Sequence, residues 1–449
     1  MSLNGLQRKI GLFPATNIVV ANIIGAGIFT TSGLLMADLG NPSLMLLLWI
    51  VGGLIAICGA LSYGELGATM PEAGGEYLFL SKIFHPMFGF LSGWVSFIVG
   101  FSAPIAASAL GFSEYFIRAS PGFSIWLAEN SFIGLEGSSR LLAIGIIIVF
   151  TLIHSRGVGF GSMVQNILTI LKVLLIAVLI IAGLTSGHGE ISNFSSGEPL
   201  VKGLAGWKTM GLSVMWIMFA YSGWNASTYI GSEIKNPVRN LPASLLIGTG
   251  IVIVLYLLIN MVYIYAIPAD EMKGVISVGG LAMRNLFGQG ADVLFSLLIS
   301  FALFSSLSAY IIIGPRVYFS MARDGLFFRS ISRIHSRFKV PTYSIYLQCL
   351  IAIIFVLTGS FDQILTYMGF SLGIFPVLTI IGLIKLRIKG AVKIKTPLYP
   401  LPQLIYLASG LVILVLAFME RPAESSIALC TVAAGIPAYI YFRKMGKKQ

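Results

Sequence analysis

Long apolar segments recur along the whole chain and constrain its fold more than any other feature. A helix that crosses a bilayer needs about 20 apolar residues. We predict twelve such spans, at residues 11–36, 43–69, 84–117, 137–154, 160–185, 209–233, 243–267, 289–321, 342–358, 362–387, 403–419 and 425–442. With 57% hydrophobic and only 10% charged residues, the composition excludes a soluble globule. The sequence therefore predicts an all-α membrane protein, with a short interfacial helix at 122–133.

The basic residues are distributed unequally between the predicted loops. If the N-terminus is cytoplasmic, the cytoplasmic side carries 21 Lys and Arg and the outer side 7. This positive-inside pattern predicts a multi-pass protein of the cell membrane with both termini in the cytoplasm. The net charge of +12 then suits an anionic lipid surface, and nucleic acid is not expected as a partner.

Glycine-containing breaks interrupt predicted spans one and six. The first is Gly25-Ala26-Gly27, and the second runs from Phe219 to Asn225. Glycine weakens a helix, and backbone groups freed inside a bilayer must be satisfied by protein or by a cavity. Tight helix packing is the alternative role for such glycines. Two breaks at corresponding places in two halves favour the substrate site of a transporter.

The positions of the two breaks predict internal symmetry. Five spans separate them, so that residues 11–185 form a first repeat and residues 209–387 a second repeat of opposite orientation. The prediction is a five-plus-five inverted repeat with broken helices one and six. Two additional C-terminal helices follow at 403–442, and residues 1–449 form a single transporter domain.

Backbone groups at the two breaks predict a site for a zwitterion. The N–H groups of Ala26 and Gly27 would hold a carboxylate at a helix N-terminus, and the carbonyls of Ile23, Phe219 and Ser222 would hold an ammonium group. An α-amino acid is the simplest such ligand, and no metal or cofactor is expected. The predicted substrate-binding residues are Ile23, Gly25, Ala26, Gly27, Phe219, Ala220, Ser222 and Gly223.

Four motifs, in order along the chain, resemble those of the amino acid–polyamine–organocation (APC) transporters and their L-type amino acid transporter branch. They are Ile23–Phe29, Pro71–Tyr77, Phe219–Asn225 with the following Glu233–Pro242, and Arg316–Gly325. The resemblance covers spans one to ten. It implies the inverted-repeat fold, an amino acid substrate, and either exchange or proton-linked uptake.

The same resemblance bears on the substrate and on the gate. Ser222 stands where relatives that handle cationic amino acids often carry Asp, which favours neutral L-amino acids. An exchanger of cationic amino acids or polyamines is the alternative. Phe219 is expected to gate the substrate, whereas Trp224 is either a second gating residue or, with Asn225, scaffold of the unwound segment.

Lys172 is the charged residue near the middle of a span, halfway along span five. An intramembrane charge suggests a function, and a lysine that snorkels to the interface is the alternative. The resemblance places Lys172 near a sodium site of sodium-coupled relatives. It predicts that the ammonium links span one to span eight near Ser305 and Ser306. A fixed cation and a proton carrier both stay open, so protons are a candidate co-substrate.

Four charged residues at cytoplasmic span ends are candidate gate ion pairs or plain solvated charges. They are Glu65, Glu233, Arg323 and Asp324.

Other functions and partners are less consistent with the sequence. A membrane-embedded enzyme would need converging His, Asp, Glu or Cys side chains, but the four histidines lie in loops or near span ends. A channel needs no sealed site at the midplane, and an amino acid sensor often carries an added signalling domain. Animal L-type relatives bind a heavy chain through an external cysteine. No cysteine lies between spans three and four, so we expect a monomer or homodimer without a disulfide-linked heavy chain.

Overall fold

The computed structural model describes residues 6–130, 133–197, 203–275, 277–358, 361–392 and 394–446. Most of these residues are helical, which confirms the predicted all-α class. The α-helices are, in chain order, α1 (Leu12–Ile23), α2 (Gly27–Leu39), α3 (Pro42–Thr69), α4 (Glu76–Ile83), α5 (Pro86–Val95), α6 (Ser102–Arg118), α7 (Pro121–Asn130), α8 (Gly134–Ser155), α9 (Val158–Thr185), α10 (Gly203–Ala220), α11 (Pro237–Ala266), α12 (Ala269–Met272), α13 (Val278–Phe287), α14 (Ala291–Arg323), α15 (Thr342–Thr358), α16 (Phe361–Ile388), α17 (Leu401–Glu420) and α18 (Pro422–Gly446).

Within the described residues, nine helices or broken helices are long and apolar enough to cross a membrane. They correspond to predicted spans one to five, seven, eight, eleven and twelve. Helices α10, α15 and α16 lie at the positions predicted for spans six, nine and ten. The chain is therefore a multi-pass membrane protein. Helix α7 lies at the position of the predicted interfacial helix, whose residues 131–132 fall outside the described residues. Its Phe123, Ile125 and Trp126 side chains are exposed.

Span one breaks where its glycines predict a break, since α1 ends at Ile23 and α2 begins at Gly27. Span six differs from the prediction of one broken span over 209–233. Only its first half is an α-helix, and after Ala220 the chain makes 3₁₀ turns at Ala226–Tyr229 and Gly231–Glu233. In the turn that follows α10, Gly223 adopts a φ of 100°, a conformation that favours glycine. The Thr228 hydroxyl then donates to the Asn225 carbonyl at 2.7 Å, a local bond that competes with α-helix.

Span three also departs from regular helix. A π-helical turn at Ser96–Gly100 separates α5 from α6, and Phe101 joins it to α6. Such turns often occur at functional sites. The hydrophobic pattern predicts one continuous span over residues 84–117 and does not indicate this irregularity.

A cluster of buried aromatic rings fixes the packing around the break in span six. The ring of Tyr221 lies 5.7 Å from that of Trp49 in α3 and 5.1 Å from that of Tyr256 in α11. Trp49 and Tyr256 also meet edge to face at 5.4 Å. These contacts bind the unwound segment to spans two and seven, because aromatic pairs in such geometry add to the free energy of burial.

Candidate functional site

The two breaks lie against each other. A Cβ atom added at Gly27 would sit 3.0 Å from the Ala220 Cα, and one added at Gly223 would sit 2.8 Å from the Asn22 backbone carbonyl carbon. Glycine at these positions therefore lets the unwound segments of spans one and six approach closely. At Gly25, in contrast, an added Cβ would meet nothing within 4 Å. The chain between α1 and α2 thus borders open space.

Side-chain hydroxyls satisfy two of the carbonyls at the end of α1. The Tyr256 hydroxyl lies 2.8 Å from the Ile23 carbonyl oxygen and 3.0 Å from that of Ala220. It therefore joins the ends of α1 and α10. The Tyr310 hydroxyl of α14 donates to the Asn22 carbonyl at 3.1 Å. Sequence reasoning missed both tyrosines, since one aromatic residue among many in the spans gives no signal of its partner.

The Lys172 side chain reaches the end of α1. Its Nζ lies 2.5 Å from the Ile24 carbonyl oxygen, 3.3 Å from that of Ala21 and 2.9 Å from the Ser306 Oγ. The side chain is only 1% exposed. The Nζ atom therefore bonds α9 to α1 and α14, at the negative end of the α1 dipole.

Ser305 and Ser306 have different partners, although they are neighbours in α14. The Ser306 hydroxyl donates to the Ile24 carbonyl at 2.7 Å, beside Lys172. Ser305 instead contacts Gln165 and Thr169 of α9, with its Oγ 3.2 Å from the Thr169 hydroxyl. Both serines thus connect span eight to span five, and Ser306 alone of the two bonds to Lys172.

The start of α2 faces a large cavity, which we call the vestibule. Helix α2 begins without a side-chain cap at Ala26, and the Phe29 amide donates to the Ala26 carbonyl at 3.0 Å, which leaves the Gly27 and Ile28 amides as candidate donors to a ligand. The vestibule has a volume of about 740 Å³ and is lined by Ala26 and Thr30. Charged side chains of both signs also line it, namely Glu114, Arg118, Arg284 and Asp292.

A second, smaller cavity lies beside the break in span six. This inner cavity has a volume of about 120 Å³ and is lined by Phe219, Ser222, Gly223 and Trp224. Asn22, Tyr310 and residues of the π-helical turn also border it. Of the remaining predicted site residues, Ala220 is buried behind the break, and Gly25 and Ala26 are half-buried.

The two predicted gating aromatics have different surroundings. Phe219 is half-buried and packs beside Val99 and Ala103 of span three. Trp224 is buried, with its ring 4.8 Å from that of Tyr63 and 5.6 Å from that of Tyr406. Phe219 therefore has more room to move than Trp224.

Beyond the break, residues 229–235 close one side of the protein, and we call them the clamp segment. Ile10 forms a parallel bridge with Ile234, and Ala73 an antiparallel bridge with Ile230. Glu233 of the clamp segment forms a buried ion pair with Arg316 of α14, at 2.8 Å. Arg316 lies near the end of α14 and the vestibule residue Asp292 near its start, so the clamp segment and the vestibule lie toward opposite ends of this helix.

The other candidate gate charges also have partners. Glu65 pairs with Arg387 of α16, with Nε 2.5 Å from Oε1, and accepts from the Thr396 amide at 2.9 Å. Asp324 accepts from the Tyr77 hydroxyl at 2.8 Å. Arg323 lies 3.8 Å from the half-exposed Glu72. Glu65 is buried, unlike Arg323 and Asp324, so its ion pair is shielded from solvent.

These features together define a membrane transporter: two broken helices that meet, a helix start without a side-chain cap, and cavities beside the breaks. Comparison with known proteins agrees. A sequence profile described as amino acid permease matches residues 10–436, and the chain belongs to this family of the APC superfamily. Family membership confirms the predicted fold class and a transporter rather than an enzyme. Among the described residues, no group of three or more His, Cys, Asp and Glu could hold a metal ion.

Several curated relatives match nearly the whole chain. The serine/threonine exchanger SteT of Bacillus subtilis is 29% identical over 98% of each chain. The human large neutral amino acids transporter small subunit 2 is 30% identical over 97% of this chain and 80% of its own. The mouse b(0,+)-type amino acid transporter 1 is 28% identical, over 98% of this chain and 89% of its own.

Proposed function

We propose that this transporter exchanges neutral L-amino acids across the cell membrane by alternating access. The carboxylate would bind at the uncapped start of α2, and the side chain would extend toward Phe219 and Ser222. The observation that carries the proposal is the site at the two breaks, where the uncapped start of α2 and the Ser222 side chain lie and where neither break itself contains a charged residue. The names of two relatives, a serine/threonine exchanger and a large neutral amino acids transporter, support this substrate class.

The surroundings of Lys172 favour exchange over proton-linked uptake through this residue. Its ammonium group has three acceptors within 3.3 Å. Two of them are carbonyls that can only accept, so a neutral amine would lose charge-assisted bonds in a buried place. Lys172 is therefore assigned as a fixed cation that links spans one, five and eight.

Uptake into proteoliposomes tests the proposal. The purified protein would be given a labelled amino acid panel, with and without internal amino acid and with and without a pH gradient. We expect uptake of neutral amino acids that requires internal amino acid. If arginine or lysine outcompetes every neutral amino acid, the proposed substrate class is wrong.

Ser222→Asp provides a matched variant for the substrate class. Its carboxylate would enter the inner cavity beside Phe219. We expect lysine and arginine to compete better in the variant than in the wild-type protein, because a buried carboxylate needs a cationic partner. Equal competition in both proteins would place the substrate side chain away from Ser222.

We further propose that the protein works as a monomer or homodimer, with both termini in the cytoplasm. Cys58 is buried and Cys349 is partly buried, each within a helix, and Cys430 is exposed within α18. This distribution supports the expectation of no disulfide-linked heavy chain. Electrophoresis with and without reductant tests for a disulfide-linked partner. The molar mass of the purified protein in detergent distinguishes a monomer or homodimer from larger assemblies.

A further inference from the structure

Glu76 is a buried acidic residue that has no role in the proposed exchange of amino acids. It is the first residue of α4, between spans two and three, and is 7% exposed. Its Oε1 accepts from the Tyr63 hydroxyl at 2.8 Å and from the Asn225 Nδ2 at 2.9 Å. The Ser92 hydroxyl lies 3.5 Å from Oε2. These partners are all neutral.

The other two buried glutamates make a useful contrast. Glu65 pairs with Arg387 and Glu233 pairs with Arg316. Within the described part of the chain, no Lys, Arg or His forms an ion pair with Glu76. Burial without a cation raises the pKa of Glu76 from 4.5 to about 7, although hydrogen bonds from Tyr63 and Asn225 oppose this shift.

Glu76 is connected to the break in span six. It lines the inner cavity together with Ser222 and Gly223. Its partner Asn225 belongs to the unwound segment and also bonds to the Tyr229 hydroxyl at 3.2 Å. Tyr229 begins the clamp segment, and its carbonyl accepts from the Gly74 amide at 3.1 Å. Movement of the clamp segment would therefore disturb the contact between Asn225 and Glu76 and admit water.

We propose that Glu76 is a proton-binding site coupled to opening of the clamped side. The carboxyl holds a proton while the clamp segment is closed. When that side opens, the proton leaves an Oε atom for the entering water, and a hydrated carboxylate remains. This inference rests on alternating access in the proposed function and adds a second ligand, the proton, at a place separate from Lys172.

The neighbouring titratable groups do not compete for this role near neutral pH. They are phenols from three elements: Tyr63 of α3, Tyr229 of the clamp segment and Tyr406 of α17. An ordinary phenol loses its proton only near pH 10. Titration between pH 5 and pH 8 in this cluster is therefore assigned to Glu76.

The direction in which pH changes the opening equilibrium depends on how tightly the closed and open states each bind the proton. The closed state binds the proton more tightly than the open, hydrated state, so acid favours closure. Between the ordinary pKa of 4.5 and the raised pKa of about 7, the opening equilibrium should rise about tenfold per pH unit. Above pH 7 the effect should level off, because the carboxyl is then ionised in both states.

Amino acid exchange at equal pH on both sides of a proteoliposome tests this proposal, whatever the orientation of the protein. We expect the wild-type exchange rate to rise at least tenfold from pH 5 to pH 7. Glu76→Gln should give a flat profile, and Glu72→Gln, which changes a half-exposed carboxylate in the same loop, should keep the wild-type slope. A flat wild-type profile, or an unchanged slope in Glu76→Gln, would overturn the proposal.

A second measurement is independent of transport. The infrared carbonyl stretch of a protonated carboxyl should titrate with a midpoint near pH 7 in the wild-type protein and be lost in Glu76→Gln. If exchange fails in every protein but this band is present, the proposed function is wrong and the proton site stands. If exchange proceeds and the wild-type protein lacks the band, the proton site is wrong and the proposed function stands.

Discussion

At the scale of the residue, Gly25 and Gly27 have opposite surroundings although they lie two positions apart. Gly27 is held against Ala220, whereas an added Cβ at Gly25 would point into open space. A glycine in a broken helix can therefore serve helix contact or leave room for a ligand. Substituting each glycine on its own distinguishes a role in helix contact from a role in ligand binding.

Gly25→Ala should weaken substrate binding without harming the fold. The added methyl group has no protein atom within 4 Å, so it occupies space that we assign to the substrate. We expect the apparent affinity to fall about tenfold, which corresponds to about 1.4 kcal/mol. The measurement is thermal stabilisation of the purified protein by its substrate. Gly250→Ala in α11 is the matched control, since its Cβ also meets nothing within 4 Å; equal affinity in both variants would remove Gly25 from the site.

Lys172→Met should reduce both stability and turnover. The substitution keeps the volume of the side chain but leaves the Ala21 and Ile24 carbonyls without their cationic donor. We expect unfolding to become easier by about 1–3 kcal/mol and exchange to fall more than substrate affinity. Lys208→Met is the control, because its contact with Glu420 at 3.6 Å is partly exposed. Normal exchange in Lys172→Met would show that Lys172 serves packing and not transport.

The sequence indicated some of the site and could not indicate the rest. Spacing put Lys172 in the middle of a span, and the glycines marked where the chain unwinds. The partners Tyr256, Tyr310 and Glu76 could not be found in this way. A hydrogen bond between spans depends on helix rotation and on three-dimensional neighbours, which periodicity in one segment does not determine.

At the scale of the element, the clamp segment replaces the second half of the helix predicted for span six. Helix α10 ends at Ala220, where the sequence predicts the break in span six. The 3₁₀ turns could not be predicted in the same way, because Ser227 and Thr228 are compatible with a buried helix as well as with local turns. Short bridges to Ile10 and Ala73 then hold the segment in place.

Glu233→Gln should loosen the clamp segment. It leaves the Arg316 guanidinium buried without its carboxylate, a change that costs about 3–5 kcal/mol when a buried pair is broken. We expect lower thermal stability and faster proteolysis or labelling of residues near the clamp segment. Glu136→Gln disrupts the exposed pair with Arg140 and should change stability by less than about 1 kcal/mol. If the two variants are equally stable, the ion pair does not hold the clamp.

At the scale of the whole molecule, the clamp segment and the vestibule lie on opposite sides of the two breaks. The loop that follows the clamp segment is predicted to be cytoplasmic, and the residues that line the vestibule include Arg118 and Arg284 of the predicted outer loops. The described conformation thus fits an outward-facing state if the charge-based orientation holds. Alternating access then requires that the clamp opens while the vestibule closes around α2.

The orientation itself can be measured with single cysteines at two exposed isoleucines. Ile191, between spans five and six, is 79% exposed, and Ile388, at the end of α16, is 80% exposed. Both would be replaced by Cys in a Cys430→Ser background, because Cys430 is the exposed native cysteine among the described residues. The positive-inside pattern predicts that a membrane-impermeant maleimide labels Ile191→Cys in intact cells. Ile388→Cys should react only after the cells are permeabilised, since it lies among basic residues such as Arg387 and Lys389. The reverse labelling pattern would show that the topology is inverted. The clamp segment would then lie on the outer face, and the described state would be inward-facing.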